Sequence, residues 1–135
     1  MLRAPKILVI KSDKTELKKV DLFLSEVFKE FHLTRNNFNK TLLCISEAVI
    51  NSIEHGNHYD RKKLVTIQLE CSKNELHVEI NDEGEGFDFK MIEDPTKEVN
   101  ITKESGRGIH IIRSLSDSIK YNKKGNRVQL KIECK

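Results

Sequence analysis

Leu42–His58, LLCISEAVINSIEHGNH, has the periodicity of the C-terminal part of an amphipathic helix. Extended a little upstream, its apolar stripe is Phe38, Leu42, Ile45, Val49 and Ile53, one face of a 3.6-residue period. Glu47, Asn51 and His55 recur at i, i+4 and i+8, which stacks them along a second strip, roughly opposite the first. A row of carboxylate, amide and imidazole is ordinarily the solvated outside of such a helix. It is also what one wall of a binding site looks like. Leu43 and Ile50 flank Glu47 and give the polar row an unusually apolar surround.

Upstream, residues 6–10 (KILVI) predict a short strand. Ser12 or Asp13 can cap the helix that follows, over residues 14–31. Its apolar positions are Leu17, Val20, Leu24, Val27, Phe28 and Phe31, a face suited to the core or to a partner subunit. The second helix begins near residues 34–37 and extends to about Gly56. Beyond a polar loop, Val65, Ile67, Leu69 and Cys71 alternate with polar residues, and so do Leu76, Val78 and Ile80. This period of two predicts an antiparallel hairpin. The second strand runs into Asn81-Asp82-Glu83-Gly84-Glu85-Gly86. Residues 88–105 show no sustained period, and connections of that length are usually functional. Gly106-Arg107-Gly108 then opens a short helix over residues 109–115, and Ile119, Tyr121, Val128, Leu130, Ile132 and Cys134 outline a last hairpin. The expected fold is α/β (α+β): a two-layer sandwich, with a mixed, largely antiparallel sheet and helices on one face. One domain over residues 1–135 suffices.

Composition narrows the function. Of 135 residues, 33% are charged and 37% hydrophobic, a globular balance. No apolar run approaches a membrane span of about 18 residues, and the N-terminus is too short in apolar residues for a signal peptide. Three scattered cysteines without a CxxC pair suggest free buried thiols and a cytoplasmic setting. A net charge of +3 with dispersed Lys and Arg gives no footprint for direct nucleic-acid binding.

The motifs carry the chemistry. Asp82-x-Gly84-x-Gly86 stands at a strand end; glycines there permit φ > 0 and close approach to a flat ligand, and a carboxylate can accept from an exocyclic amine. Alone it is equally a tight polar turn. Gly106-x-Gly108 at a helix start suits a phosphate, and Arg107 adds a cation; alone it is equally a loop. His55-x-x-His58 lacks the order of a zinc-protease motif.

In order, however, a helix with Glu47 and Asn51, a DxGxG turn, a long loop and a GxG helix start resemble the GHKL ATPase superfamily, whose ATP-binding domain is the Bergerat fold. SEAVINSIEHGN and GRGIHIIRSLSDSIKY look most like its small anti-sigma-factor serine/threonine kinases. The resemblance implies ATP and Mg²⁺ as cofactors, with an ATP lid at about residues 87–105. It implies Glu47 as catalytic base on a serine hydroxyl and Asn51 as the Mg²⁺ ligand. Asp82 would hold the adenine amine, Gly84 and Gly86 would make room for the base, and Gly106, Arg107 and Gly108 would close on the phosphates. His55 falls near the nucleotide. The implied partners are an anti-sigma-factor antagonist of the STAS type as phosphoacceptor, a sigma factor to be sequestered, and a second copy in a homodimer. The alternative is an ATP-binding regulatory module that switches protein partners without transferring phosphate. Asn126 stands where many relatives have Thr.

Overall fold

The computed structural model describes residues 5–72, 75–84, 118–122 and 126–133. Strand β1 (Lys6–Lys11) is followed by a 3-10 turn (Lys14–Glu16) and helix α1 (Leu17–Glu30). A second 3-10 turn (Arg35–Asn37) leads into α2 (Phe38–Asn51), which continues as one π-helical turn (Ser52–Gly56). Strands β2 (Leu64–Ser72), β3 (Glu75–Asp82), β4 (Ser118–Tyr121) and β5 (Arg127–Glu133) complete the described chain.

The five strands form one sheet in the order β1-β2-β3-β5-β4. Both expected hairpins occur, with Ile67 opposite Ile80 and Ile119 opposite Leu130. Every pairing among the described strands is antiparallel, so the parallel element of a mixed sheet is not found there. The physical reason at β1 and β2 is the pair of helices between them. Two helices return the chain to the end of the sheet from which it left, so β2 runs back along β1.

Alternation decides which face is covered. Val65, Ile67, Leu69, Leu76, Val78, Ile80, Val128, Leu130 and Ile132 are buried, and their neighbours in sequence are not. Both helices therefore pack on one face. From α1 come Val20, Leu24, Val27 and Phe28; from α2 come Phe38, Cys44, Ile45, Ala48 and Val49. Each fully buried Leu, Ile or Phe contributes about 1.5–3 kcal/mol. The rings of Phe28 and Phe38 meet edge to face at 5.2 Å and hold the helices together. The apolar face of α1 is thus spent on the chain's own core, and a homodimer draws no support from it. Cys44 forms no disulfide among the described residues, and burial pushes its thiol up to about 12, far from reactivity.

Ser12 and Asp13 divide the work expected of either. Asp13 caps the first turn, accepting from Thr15 N at 2.9 Å. Ser12 is buried and donates instead to the carbonyl of Lys63 at 2.6 Å. The expected helix over residues 109–115, the lid, Gly86, Gly106, Arg107, Gly108 and Cys134 lie outside the described residues.

Candidate functional site

α2 carries the candidate residues at the border of its buried face. The inner edge of the helix is Thr41, Ile45, Ala48, Val49 and Ser52, with Cys44 to one side. At 100° per residue Asn51 falls beside Cys44, and Glu47 one step further out. The polar row is therefore not opposite the core, as the sequence had suggested, but along its margin. Asn51 is only 5% exposed, and its side-chain nitrogen is buried with no hydrogen-bond partner among the described residues. An orphaned amide of this kind costs about 1–3 kcal/mol, so it calls for a partner that the polypeptide described here does not supply.

The row does not continue straight to His55. From Ser52 the helix opens into its π turn, with Asn57 N donating to Ser52 O at 2.8 Å. The wider i→i+5 turn re-aims the residues after Asn51. His58 and Tyr59 then adopt left-handed backbone, φ 51° and 59°, and turn the chain towards β2. Tyr59 folds back and donates to Glu54 at 2.8 Å, which also pairs with Lys14 at 2.5 Å. Half-buried His55 lies 3.7 Å from the other oxygen of Glu54. Burial holds its imidazole below the usual histidine range, Glu54 opposing and His58 assisting.

Across from α2, β3 ends in the Asp82 turn. Asp82 is buried at 7% exposure, and its Oδ1 accepts from Gly84 N at 2.9 Å. Its own N–H donates to the Asn126 carbonyl at 3.0 Å, which secures the turn to the start of β5. The side-chain oxygen of Asn126 meanwhile accepts from Asn122 at 2.7 Å. Gly84 has no left-handed φ; its need to be glycine is spatial. A Cβ there would overlap the backbone oxygen of Gly56, and a Cβ on Gly56 would overlap the Asp82 carboxyl group, its Oδ2 most closely. The close approach that the DxG pattern predicts is thus made first to the end of the helix.

Asn51 and Asp82 line one narrow cleft, with Ala48 and Ser52 on the helix side and Ile80, Tyr121 and Val128 on the sheet side. The cleft encloses only about 10 Å³ among the described residues, but its apolar walls, buried carboxylate and unsatisfied amide are the groups that would face a flat heterocycle with polar edges. A wider hollow of about 360 Å³ lies on the open face of the sheet, lined by Gln68, Glu70, Glu79, Lys120 and Lys131. Among the described residues it has no buried charge and no orphaned polar atom, and it reads as the concave side of a twisted sheet.

Glu47 stands one turn before Asn51, about 6 Å along the axis, and is partly exposed. Burial raises its carboxyl above the usual glutamate range; the Glu54 carboxylate adds to this and the Lys14 ammonium opposes it. A base with raised proton affinity is a stronger one. Glu54 goes the other way. Burial would raise it, but the bonds from Lys14 and Tyr59 prevail and hold it low. Two carboxylates seven residues apart are thereby driven in opposite directions, the pattern that marks a division of roles.

Sequence reasoning did not single out Gly56 or Asn57. Both read as an ordinary helix stop, and only the fold brings β3 against them. The profile of the histidine kinase-like ATPase domain matches residues 10–132. Relatives include the serine-protein kinase RsbW of Staphylococcus aureus strain bovine RF122 / ET3-1, 27% identical over 109 residues, covering 74% of this chain and 67% of that protein. The same kinase from strain MSSA476 is 25% identical over 107 residues. Among solved structures, the RsbU and RsbW domains of Rv1364c from Mycobacterium tuberculosis align over 97% of this chain and 32% of that one, with TM-score 0.64 and 17% identity. With 123 consecutive residues spanned by one domain profile, the chain belongs to the histidine kinase-like ATPase domain family.

Proposed function

We propose that the protein is an ATP-dependent protein serine/threonine kinase that also acts as an anti-sigma factor. Its phosphoacceptor is a STAS-type antagonist, and the protein sequesters a sigma factor. The observation that carries the nucleotide reading is the cleft: Asn51 with a buried, unsatisfied amide on one wall and the buried Asp82 carboxylate on the other. What favours a kinase over a silent binding module is Glu47, accessible and of raised basicity, on the same rigid helix. The naming of the staphylococcal relatives as serine-protein kinases points the same way.

In this reading Asp82 accepts from the adenine amine, and Asn51 would hold Mg²⁺ through its amide oxygen while its unsatisfied Nδ2 donates to a phosphate oxygen. The metal would supply charge neutralisation on the transferring group. Glu47 accepts the proton of the serine hydroxyl as its oxygen bonds to the γ-phosphorus and the bond to the β-phosphate oxygen breaks, leaving ADP. Incubation with Mg-ATP and a STAS-domain antagonist, read by phosphoserine mass spectrometry, tests the assignment. Tight ATP binding without transfer would replace it by the regulatory module.

Two further results are expected. Asn51→Ala weakens Mg-ATP binding by ~10–100-fold, the worth of a hydrogen bond to a charged group. The ligand-free protein nevertheless keeps or gains thermal stability, because an unpaired buried amide has been removed. Calorimetry with and without chelator, beside a melting curve, reads both; unchanged affinity would count against Asn51 as ligand. Second, the acid limb of transfer lies above the ordinary glutamate range, since burial and then Glu54 raise Glu47. Lys14→Met removes the opposing charge found among the described residues and moves that limb to higher pH. A profile that stays put, or moves down, would separate Lys14 from the base.

A further inference from the structure

The buried amide of Asn57, one residue after the glycine that touches Asp82, ties three strand ends together. Asn57 is 1% exposed. Its Nδ2 donates to Ser12 Oγ at 2.7 Å and to the Leu64 carbonyl at 3.1 Å. Its Oδ1 accepts from Glu83 N at 2.9 Å. Both hydrogens and one lone pair of the amide are used. The orientation is forced, because Leu64 O can only accept and Glu83 N–H can only donate. Ser12 follows β1, Leu64 begins β2 and Glu83 follows β3. Glu83 also accepts from Leu64 N through its own carboxylate, at 2.5 Å.

This junction has a consequence for the cleft. Asp82 is gripped on both sides: Asn126 O holds its N–H, and Asn57 holds the N–H of the very next residue. Gly56, the residue before Asn57, abuts its carboxylate. The placement of the Asp82 turn relative to α2 is therefore tied to a side chain that does not line the cleft among the described residues. We infer that Asn57, seated on Ser12, is a positioning residue for base selection: it fixes Asp82 where an exocyclic amine of the purine is accepted, and so makes the site choose adenine over a purine without that amine. The inference rests on the reading of Asp82 as the adenine acceptor.

The test compares ADP with IDP, which differ at the six-position of the base, amine against carbonyl. Titration calorimetry of the full chain gives the ratio of the two dissociation constants. For the native protein ADP is favoured by ~10–100-fold, the usual worth of a hydrogen bond to a charged group. In Asn57→Ala the preference collapses by about tenfold or more, chiefly through weaker ADP binding, while IDP changes little. Ser12→Ala, which leaves Asn57 its bond to Leu64 and serves if the first variant folds poorly, lowers the preference part of the way. Combined, the two substitutions lower the ratio no further than Asn57→Ala alone, because they act through one junction. A purely structural role would weaken both nucleotides equally; an unchanged ratio in the folded variants overturns the inference. A native protein with no preference overturns the Asp82 reading itself, and with it this inference, and is recognised before any variant is made.

Discussion

Replacing Gly84 by alanine removes nucleotide binding and lowers the melting temperature by several degrees. The added Cβ would overlap the backbone oxygen of Gly56, and neither partner can yield cheaply. Gly56 closes a π turn whose next residue is fixed by the three Asn57 bonds. Gly84 is held by its own N–H on Asp82. Overpacking against backbone costs about 1–3 kcal/mol and sometimes more, equivalent to several degrees for a domain of this size. The turn must move away from α2, and Asp82 moves with it. Gly56→Ala is the informative companion: its Cβ meets the Asp82 carboxyl group, a side chain rather than backbone. It should spare the fold more than Gly84→Ala and still weaken ADP. Melting curves with and without ADP read both effects. A Gly84→Ala protein that melts and binds like the native one would show that the turn is not packed on the helix end.

That pair of glycines also marks what could be read from the chain and what could not. Strand alternation from Val65 to Ile80 and the i, i+3, i+4 pattern of α1 were legible, because burial of one face writes a period into neighbouring residues. Glu47, Asn51 and Asp82 were legible as types of residue in a spacing. Their geometry was not. Asn51 looked solvated because a perfect 100° wheel places it away from the main stripe, whereas the core reaches round to Cys44 and Ala48. The π turn left no trace, since a widened turn depends on what packs against Gly56, here a strand end almost thirty residues later in the chain. Gly84 was read as room for a ligand, yet its first neighbour is the chain itself. Asn57 was invisible for the same reason: its partners are 45, 26 and 7 residues away.

Glu47→Gln is expected to stop phosphoryl transfer while leaving ADP and ATP binding near the native level. A carboxylate general base contributes roughly 10²–10⁴-fold, and glutamine keeps the shape without the basicity. The substitution should also leave the fold as stable or more so at neutral pH, and the sign follows from linkage. Glu47 is raised above its unfolded value, by burial first and by Glu54 second. The folded state therefore binds this proton more tightly than the unfolded chain. The group's favourable contribution is full below the unfolded value and is lost as pH rises through the folded one. At pH 7 the charged carboxylate is thus a burden on the fold, and an uncharged amide relieves it. The gain in melting temperature of Glu47→Gln over native should shrink as the pH is lowered towards the ordinary glutamate range. Loss of transfer with retained affinity and an equal or higher melting point is the signature of a functional carboxylate kept at the fold's expense. Full transfer by Glu47→Gln would remove Glu47 as the base. A melting point well below native would instead make Glu47 a structural residue of α2, and its raised basicity a by-product of burial beside Glu54.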